Sequence, residues 1–360
     1  MAYETLNERL TQVDYLPILT VRPAEMRALE ELPEHDKNLM LPVIVLRPWL
    51  NAIDFESSVE KLDEAYGRRS YIVDLDHEYD FPDGELKPSA QRLKELLSST
   101  EGFKRWREFI AEHPQMIPVL QIGAPEDIAK QISDFVQLDR GIVVRLPKLG
   151  FGGLVGLLSM LSGVNPKSLL FVFDFGKPRQ GDLASIALCD GLFKSASFAF
   201  PGCGLSVSAT TFPESFDGIR EFKIEERQFH SLLCKANPSF TIHYSDWGSA
   251  RAERNGGGGR IIPRIDYPVF GKWYFFRKDQ DNGYVAAAKD LTSKENESVW
   301  KPVLPIWGTQ MIERTAKGDK YAIVSPVRAT AVRINLHLHR QIYFDNQKKA
   351  FEELDDDWVD

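Results

Sequence analysis

Cysteine is scarce in this chain: Cys189, Cys203 and Cys234 are the only three in 360 residues, irregularly spaced and without a Cys-x-x-Cys pair. That excludes a disulfide framework and a four-cysteine zinc site, and it fits a reducing compartment. No run approaches the roughly 18 apolar residues of a membrane span. The opening MAYETLNERLTQVDY also lacks the apolar stretch of a secretory signal. A cytoplasmic protein with no membrane association is therefore expected. Positive charge is short as well, since 44 Lys and Arg stand against 52 Asp and Glu for a formal net charge of −8. Without a basic footprint, nucleic acid is not an expected partner. What is present is the composition of an ordinary globular chain, with 43% hydrophobic and 27% charged residues.

Short β-branched and aromatic runs alternate with segments of helical spacing, the pattern of a parallel sheet with crossover helices. Eight runs read as strands: 15–22, 41–47, 71–77, 116–122, 142–146, 169–175, 193–200 and 241–247. Helical segments begin at Pro23, Asp54, Ser89, Pro125, Leu183 and Arg227, and the last runs over 326–344 with Val327, Ala331, Ile334, Leu338 and Ile342 on one face. Eight strands with intervening crossovers predict an α/β fold, a (β/α)8 TIM-like barrel. A long insertion, 248–325, separates the eighth strand from the last helix, and RIDYPVFGKWYFFRK within it reads as two short strands around a turn. The expected organisation is one barrel domain over 1–347, insertion included, followed by an acidic tail over 348–360.

Several of these segments carry a resemblance. YLPILTVRPAEMRALEEL, LPVIVLR and the block YSDWG, RIDYP and KWYFFRK together resemble the beta-protein family of phages, prophages and bacterial mobile elements. Pro17, Ile18, Leu19, Glu25 and Leu29 fit its opening strand and helix, and Pro42 fits its second strand. Asp246, Trp247 and Gly248 fit its Asp-aromatic-Gly triplet. Tyr267, Trp273, Tyr274 and Arg277 fit the strands that follow, and His337 and His339 fit the last helix. Thr20 and Val45 stand where the family usually carries Lys and Glu, so an ion pair is missing as a unit. The resemblance implies a role in phage–host conflict, commonly beside defence or toxin–antitoxin genes, and no established reaction.

Barrel strands turn alternate residues toward the helices and the lumen, and the large apolar ones take the helix side. That parity places Arg22, Arg47, Asp74, Asp76, Gln121, Arg145, Asp174, Ser197 and Asp246 on the inner upper rim, at strand carboxyl ends where this fold keeps its active sites. Asp174 and Asp76 are the candidate catalytic residues. The others, with Tyr267 and Arg277 of the insertion, are candidate ligand-binding residues. Three arginines suit a phosphorylated or otherwise anionic small molecule. Against this stands the plainer reading, in which the charges pair with one another and only hold the rim together. No cofactor or protein-held metal is predicted; Mg²⁺ enters only if Asp74, Asp76 and Asp174 converge without an arginine between them.

Other features read as structural. By parity His77 points away from the aspartates; His337 and His339, two apart on a helix, lie on different faces and are no zinc pair. Gly256 to Gly259 lacks the Lys-Ser/Thr of a P-loop, and Cys203 has neither a nucleophile elbow nor a paired histidine. Trp273 to Phe276 are better read as strand packing than as a stacking platform. The leading expectation is a component of an anti-phage defence or toxin–antitoxin-like module whose barrel mouth binds an anionic ligand. A metal-dependent phosphodiesterase or nuclease is one alternative. The other is a non-catalytic scaffold for a protein partner from the same operon or for a phage component.

Overall fold

A computed structural model describes residues 3–176, 186–213, 215–249 and 261–352. The glycine run 256–259 and tail residues 353–360 lie outside them. The chain is a mixed α/β protein with parallel sheets, and it divides into two compact units. The first comprises Met1–Arg22, Met40–Thr210 and Glu226–Trp247; the second comprises Pro23–Leu39, Thr211–Glu225 and Gly248–Asp360. No helix among the described residues is long and apolar enough to cross a membrane.

In the first unit β1 (Ile18–Thr20), β2 (Val43–Leu46), β3 (Tyr71–Leu75) and β4 (Met116–Pro118) form one parallel sheet in sequence order. A second is formed by β5 (Ile142–Pro147), β6 (Leu169–Asp174), β7 (Gly204–Ala209) and β9 (Ile242–Asp246), while β8 (Glu221–Lys223) belongs to the other unit. Isolated parallel bridges join Val119 to Val143 and Tyr15 to Tyr244. Each is backed by backbone hydrogen bonds, Leu120 N to Val143 O at 2.8 Å and Leu16 N to Tyr244 O at 2.8 Å.

Side-chain alternation sorts these strands into two faces. Ile18, Val43, Val45, Ile72, Ile117, Val143, Leu170 and Val172 share one apolar cluster with Leu6, Val13 and Leu16. The residues between them, such as Phe171 and Phe173, are wholly buried on the opposite face, where Phe173 meets Phe193 of the helix Ile186–Ala199 at 5.5 Å. Two glycines admit the helix Leu6–Leu10 to the amino ends of the strands. A Cβ on Gly141 would lie 2.4 Å from Leu6 Cβ, and one on Gly204 would lie 2.7 Å from Leu10 Cδ1.

The seventh strand is a correction. The expected strand 193–200 is helical, within Ile186–Ala199, and the strand is Gly204–Ala209. Apparent alternation in FKSASFAF conceals a helical period, because Leu192, Phe193, Ala196 and Phe200 are buried while Phe198 is 91% exposed. A strand would have buried Phe198 with Phe200, two residues on.

In the second unit β10 (Arg264–Val269) and β11 (Lys272–Arg277) form the expected antiparallel hairpin, and β8 pairs with β11 as a third strand. Phe212, Phe216, Ile224, Trp273 and Phe275 form its apolar cluster. Trp273, Phe275 and Phe276 are thus core residues, as strand packing requires. The helix Pro326–Ile342 starts at Ser325, whose Oγ accepts from Arg328 N at 3.3 Å. His337 stacks on Trp273 at 5.3 Å, whereas His339 Nδ1 meets Asp36 Oδ2 at 2.6 Å, so the two histidines serve different neighbours.

Gly141 gives the sharpest test of this packing, because its φ of +97° also penalises any side chain. Gly141→Ala should cost about 2–4 kcal/mol, as overpacking and backbone strain combine. A urea midpoint equal to the parent's would show that the helix Leu6–Leu10 does not sit there.

Candidate functional site

Beyond the apolar cluster the same face of the strands turns polar. Two residues after Val45, Val119, Val143 and Val172 come Arg47, Gln121, Arg145 and Asp174, while Asp74 aligns with Val45 across β2 and β3. Arg145 is the centre of this layer. Its Nη1 donates to Asp74 Oδ2 at 2.9 Å, and its Nε and Nη2 donate to Asp174 Oδ2 at 3.0 and 2.7 Å. The guanidinium also lies 5.0 Å from the ring centre of Trp247, whose Nε1 donates to Asp174 Oδ1 at 3.2 Å. Burial works against the charge on Arg145, but Asp174 and Asp74 outweigh it and hold the group protonated above its ordinary range.

The acceptor capacity of Asp174 is taken up. Asp174 Oδ1 also receives Gly176 N at 2.9 Å, so each of its oxygens accepts two donors. Asp74 Oδ1 receives Leu75 N at 2.8 Å and Gln121 Nε2 at 3.0 Å. A general base or metal ligand needs a lone pair directed at its target. Asp174 spends its lone pairs on Arg145, Trp247 and the backbone, which is the geometry of a positioning group. Among the described residues, no three His, Cys, Asp or Glu side chains are grouped to hold a metal ion.

The remaining rim candidates divide. Arg47 Nη1 lies 3.4 Å from Asp76 Oδ2, its guanidinium sits 4.9 Å from the Tyr79 ring, and its side chain keeps 19% exposure. Arg22 is half-buried just after β1. His77 is exposed, yet its Nε2 comes within 4.0 Å of Asp74 Oδ1, because the chain has already left the strand and parity no longer governs it. Asp246 is a correction. It lies on the face opposite Asp174, where it accepts from Tyr15 Oη at 2.7 Å and Tyr244 Oη at 2.9 Å. The register explains this, since Asp174 aligns with Ser208 and Ser208 with Ser245, one residue out of phase with Asp246. Burial and Asp246 push both tyrosines far above the usual phenol range, so both stay protonated donors.

Ser197 is the other correction. It lies half-buried on the helix Ile186–Ala199, and the rim position expected for it belongs to Ser208 of β7. Tyr267 is fully buried in the second unit, 5.4 Å from Trp300, and Arg277 is in the same unit, ion-paired with Asp217. Burial pushes the Cys203 thiol up to about 11, which leaves it a poor nucleophile near neutral pH.

Three contributors escaped the sequence reading. Gln131 clasps the backbone of Gln121, with Oε1 receiving Gln121 N and Nε2 donating to Gln121 O, both at 2.9 Å. A glutamine on the apolar stripe of the helix Pro125–Leu138, between Ile128 and Phe135, was the available signal. Trp247 stands out in the sequence only as part of the Asp-aromatic-Gly triplet. Ser208 was hidden by the misplaced seventh strand. Its Oγ and Gln121 Oε1 are buried atoms without a hydrogen-bond partner among the described residues.

A family model described as Beta protein matches residues 15–343. The chain belongs to the beta-protein family. Protein beta of Enterobacteria phage P4 is 29% identical over 344 residues, covering 91% of this chain and 92% of the phage protein. Solved structures are far more distant. A trimodular GH5_4 subfamily endoglucanase has a TM-score of 0.43 at 11% identity, over 68% of this chain and 57% of its own. Rhizobium etli pyruvate carboxylase has a TM-score of 0.34 at 9% identity, over 94% of this chain and 29% of its own. At such scores a likeness bears on neither fold nor function.

Arg145→Ala should destabilise the family member by about 3–5 kcal/mol, because it strands two buried carboxylates. Adding Asp74→Asn and Asp174→Asn to an Arg145→Met background should recover most of that loss in urea unfolding. A folded Arg145→Ala with the parental midpoint would show that the three groups are not coupled.

Proposed function

We propose that the two parallel sheets close into one eight-stranded barrel and that its polar end binds a small phosphorylated or otherwise anionic ligand. The protein would serve an anti-phage defence or toxin–antitoxin-like module of a phage or mobile element, alongside an operon-encoded or phage-derived protein partner. Closure is supported by strand order and by the bridges at Val119–Val143 and Tyr15–Tyr244, which fall where the sheet edges would meet. The module is supported by family membership and by the phage P4 relative.

The observation that carries the anion reading is Arg145 set between two aspartates, with Arg47 and Arg22 at the ends of β2 and β1. Arg145 neutralises the carboxylates that would otherwise repel an anion. Arg47, partly exposed and steadied by Tyr79, then offers donors to a phosphate or carboxylate. Arg145 between Asp74 and Asp174 supports this reading over the Mg²⁺ phosphodiesterase one, which calls for aspartates converging without an arginine between them. The filled acceptor positions of Asp174 favour a second reading, in which the layer is purely structural and the chain is a scaffold.

Two measurements separate these readings. Mass spectrometry of the purified full chain should find a retained small anion, and Arg47→Ala should release it. In phage-challenged cells Arg47→Ala should then lower protection by about tenfold or more, the worth of one charge-assisted contact. Full protection by a folded Arg22→Ala, Arg47→Ala pair would leave the scaffold reading standing.

A further inference from the structure

The second unit holds a group of arginines that the rim does not account for. In the register of β10 and β11, Arg264 stands directly opposite Arg277. Residues paired across two strands project from the same face, and like charges placed so are destabilising. The chain accommodates the pair by folding Arg264 back onto Asp266 and over the Phe216 ring, 3.3 Å from its centre. Asp266 also receives Arg333 Nη1 at 3.1 Å. Asp290 is shared in the same way, with Lys278 Nζ at 2.6 Å and Arg220 at 3.4 Å, and Arg220 also donates to Asn296 Oδ1 at 3.3 Å and lies 4.3 Å from the Phe276 ring centre. One carboxylate thus serves two cations twice over.

Two cations of this unit, Arg220 and Arg277, the latter also ion-paired with Asp217, border a cleft of about 480 Å³, inside the usual range for small-molecule sites. Arg220 and Arg277 line it beside the apolar Phe216, Ile219, Ile262 and Phe275. Guanidinium forks match a phosphate, while the apolar side of the cleft suits the edge of a flat ring. Asp279 reaches the same cleft and is the acceptor that a sugar hydroxyl requires.

We propose that the cleft between Arg220 and Arg277 is a binding site for a nucleoside monophosphate. The phosphate lies on the two guanidinium groups, the base lies against Phe216, Ile219 and Ile262, and the ribose hydroxyls face Asp279. The site lies wholly within the second unit and goes beyond the anion site proposed at the strand ends.

Isothermal titration of the full chain tests it, with the four ribonucleoside 5′-monophosphates, inorganic phosphate and adenosine as separate probes. At least one monophosphate should bind ten or more times tighter than either phosphate or adenosine. Arg277→Gln and Arg220→Gln should each weaken that binding by about tenfold, as loss of a charge-assisted contact does, whereas Lys320→Gln, which removes an exposed charge of the same unit, should not. Circular dichroism of each variant separates lost binding from lost fold. Equal affinity for phosphate and every monophosphate, no binding of any monophosphate, or unchanged affinity in folded Arg277→Gln and Arg220→Gln would each overturn the proposal.

Discussion

A guanidinium group cannot be taken out of water alone, and most of what is distinctive in the first unit follows from that constraint. Arg145 stands at the end of an apolar cluster, where only carboxylates from nearby strand ends can balance it. Asp74 on β3 and Asp174 on β6 do so. Each is then fixed by further donors, Gln121 and Leu75 N for one, Trp247 and Gly176 N for the other. Gln121 in turn depends on Gln131. Residues from five strand ends and one helix are therefore positioned by the need of a single charge, and moving any of them disturbs the others.

Much of this was legible because side-chain alternation in a strand is rigid. Once Val143 and Val172 are assigned to the apolar face, Arg145 and Asp174 must share it two residues later, and no knowledge of tertiary structure is needed. The same rule fails where its premise fails. Phe193 to Phe200 look like a strand, but they follow a helical period, so Ser197 was carried to a place that Ser208 occupies. Asp246 was lost differently. Its strand was found, but its phase was not, because Ile242, Tyr244 and Asp246 are all buried and two tyrosines make the helix-side face polar enough to hold a carboxylate.

The make-up of the second unit was legible only in part, through the insertion 248–325. Pro23–Leu39 is contiguous with β1 and β2 in sequence and reads as an ordinary crossover, yet it packs with the helix Pro326–Ile342. Asp36 meets His339 and Tyr343 there, and Asn335 Nδ2 donates to Ala28 O at 3.1 Å. Residues some 300 positions apart are thereby joined through buried polar groups. A pattern confined to short windows carries no trace of such a partner.

The glycines at 141 and 204 bear on how water reaches the strands. Leu6 and Leu10 fill the space that two methyl groups would otherwise claim, so aliphatic side chains cover the amino ends of β5 and β7. The opposite ends are covered by the ionic layer around Arg145. Backbone amides in the middle of β5 and β6 are then shielded from both directions. Their exchange with solvent deuterium should follow opening of the whole unit, while amides nearer the strand ends exchange through smaller, local excursions. The apolar cluster is thus a column with unlike stoppers, one aliphatic and one charged. The charged stopper is held by ion pairs and the aliphatic one by packing alone, so substitutions at the two ends act through different physics.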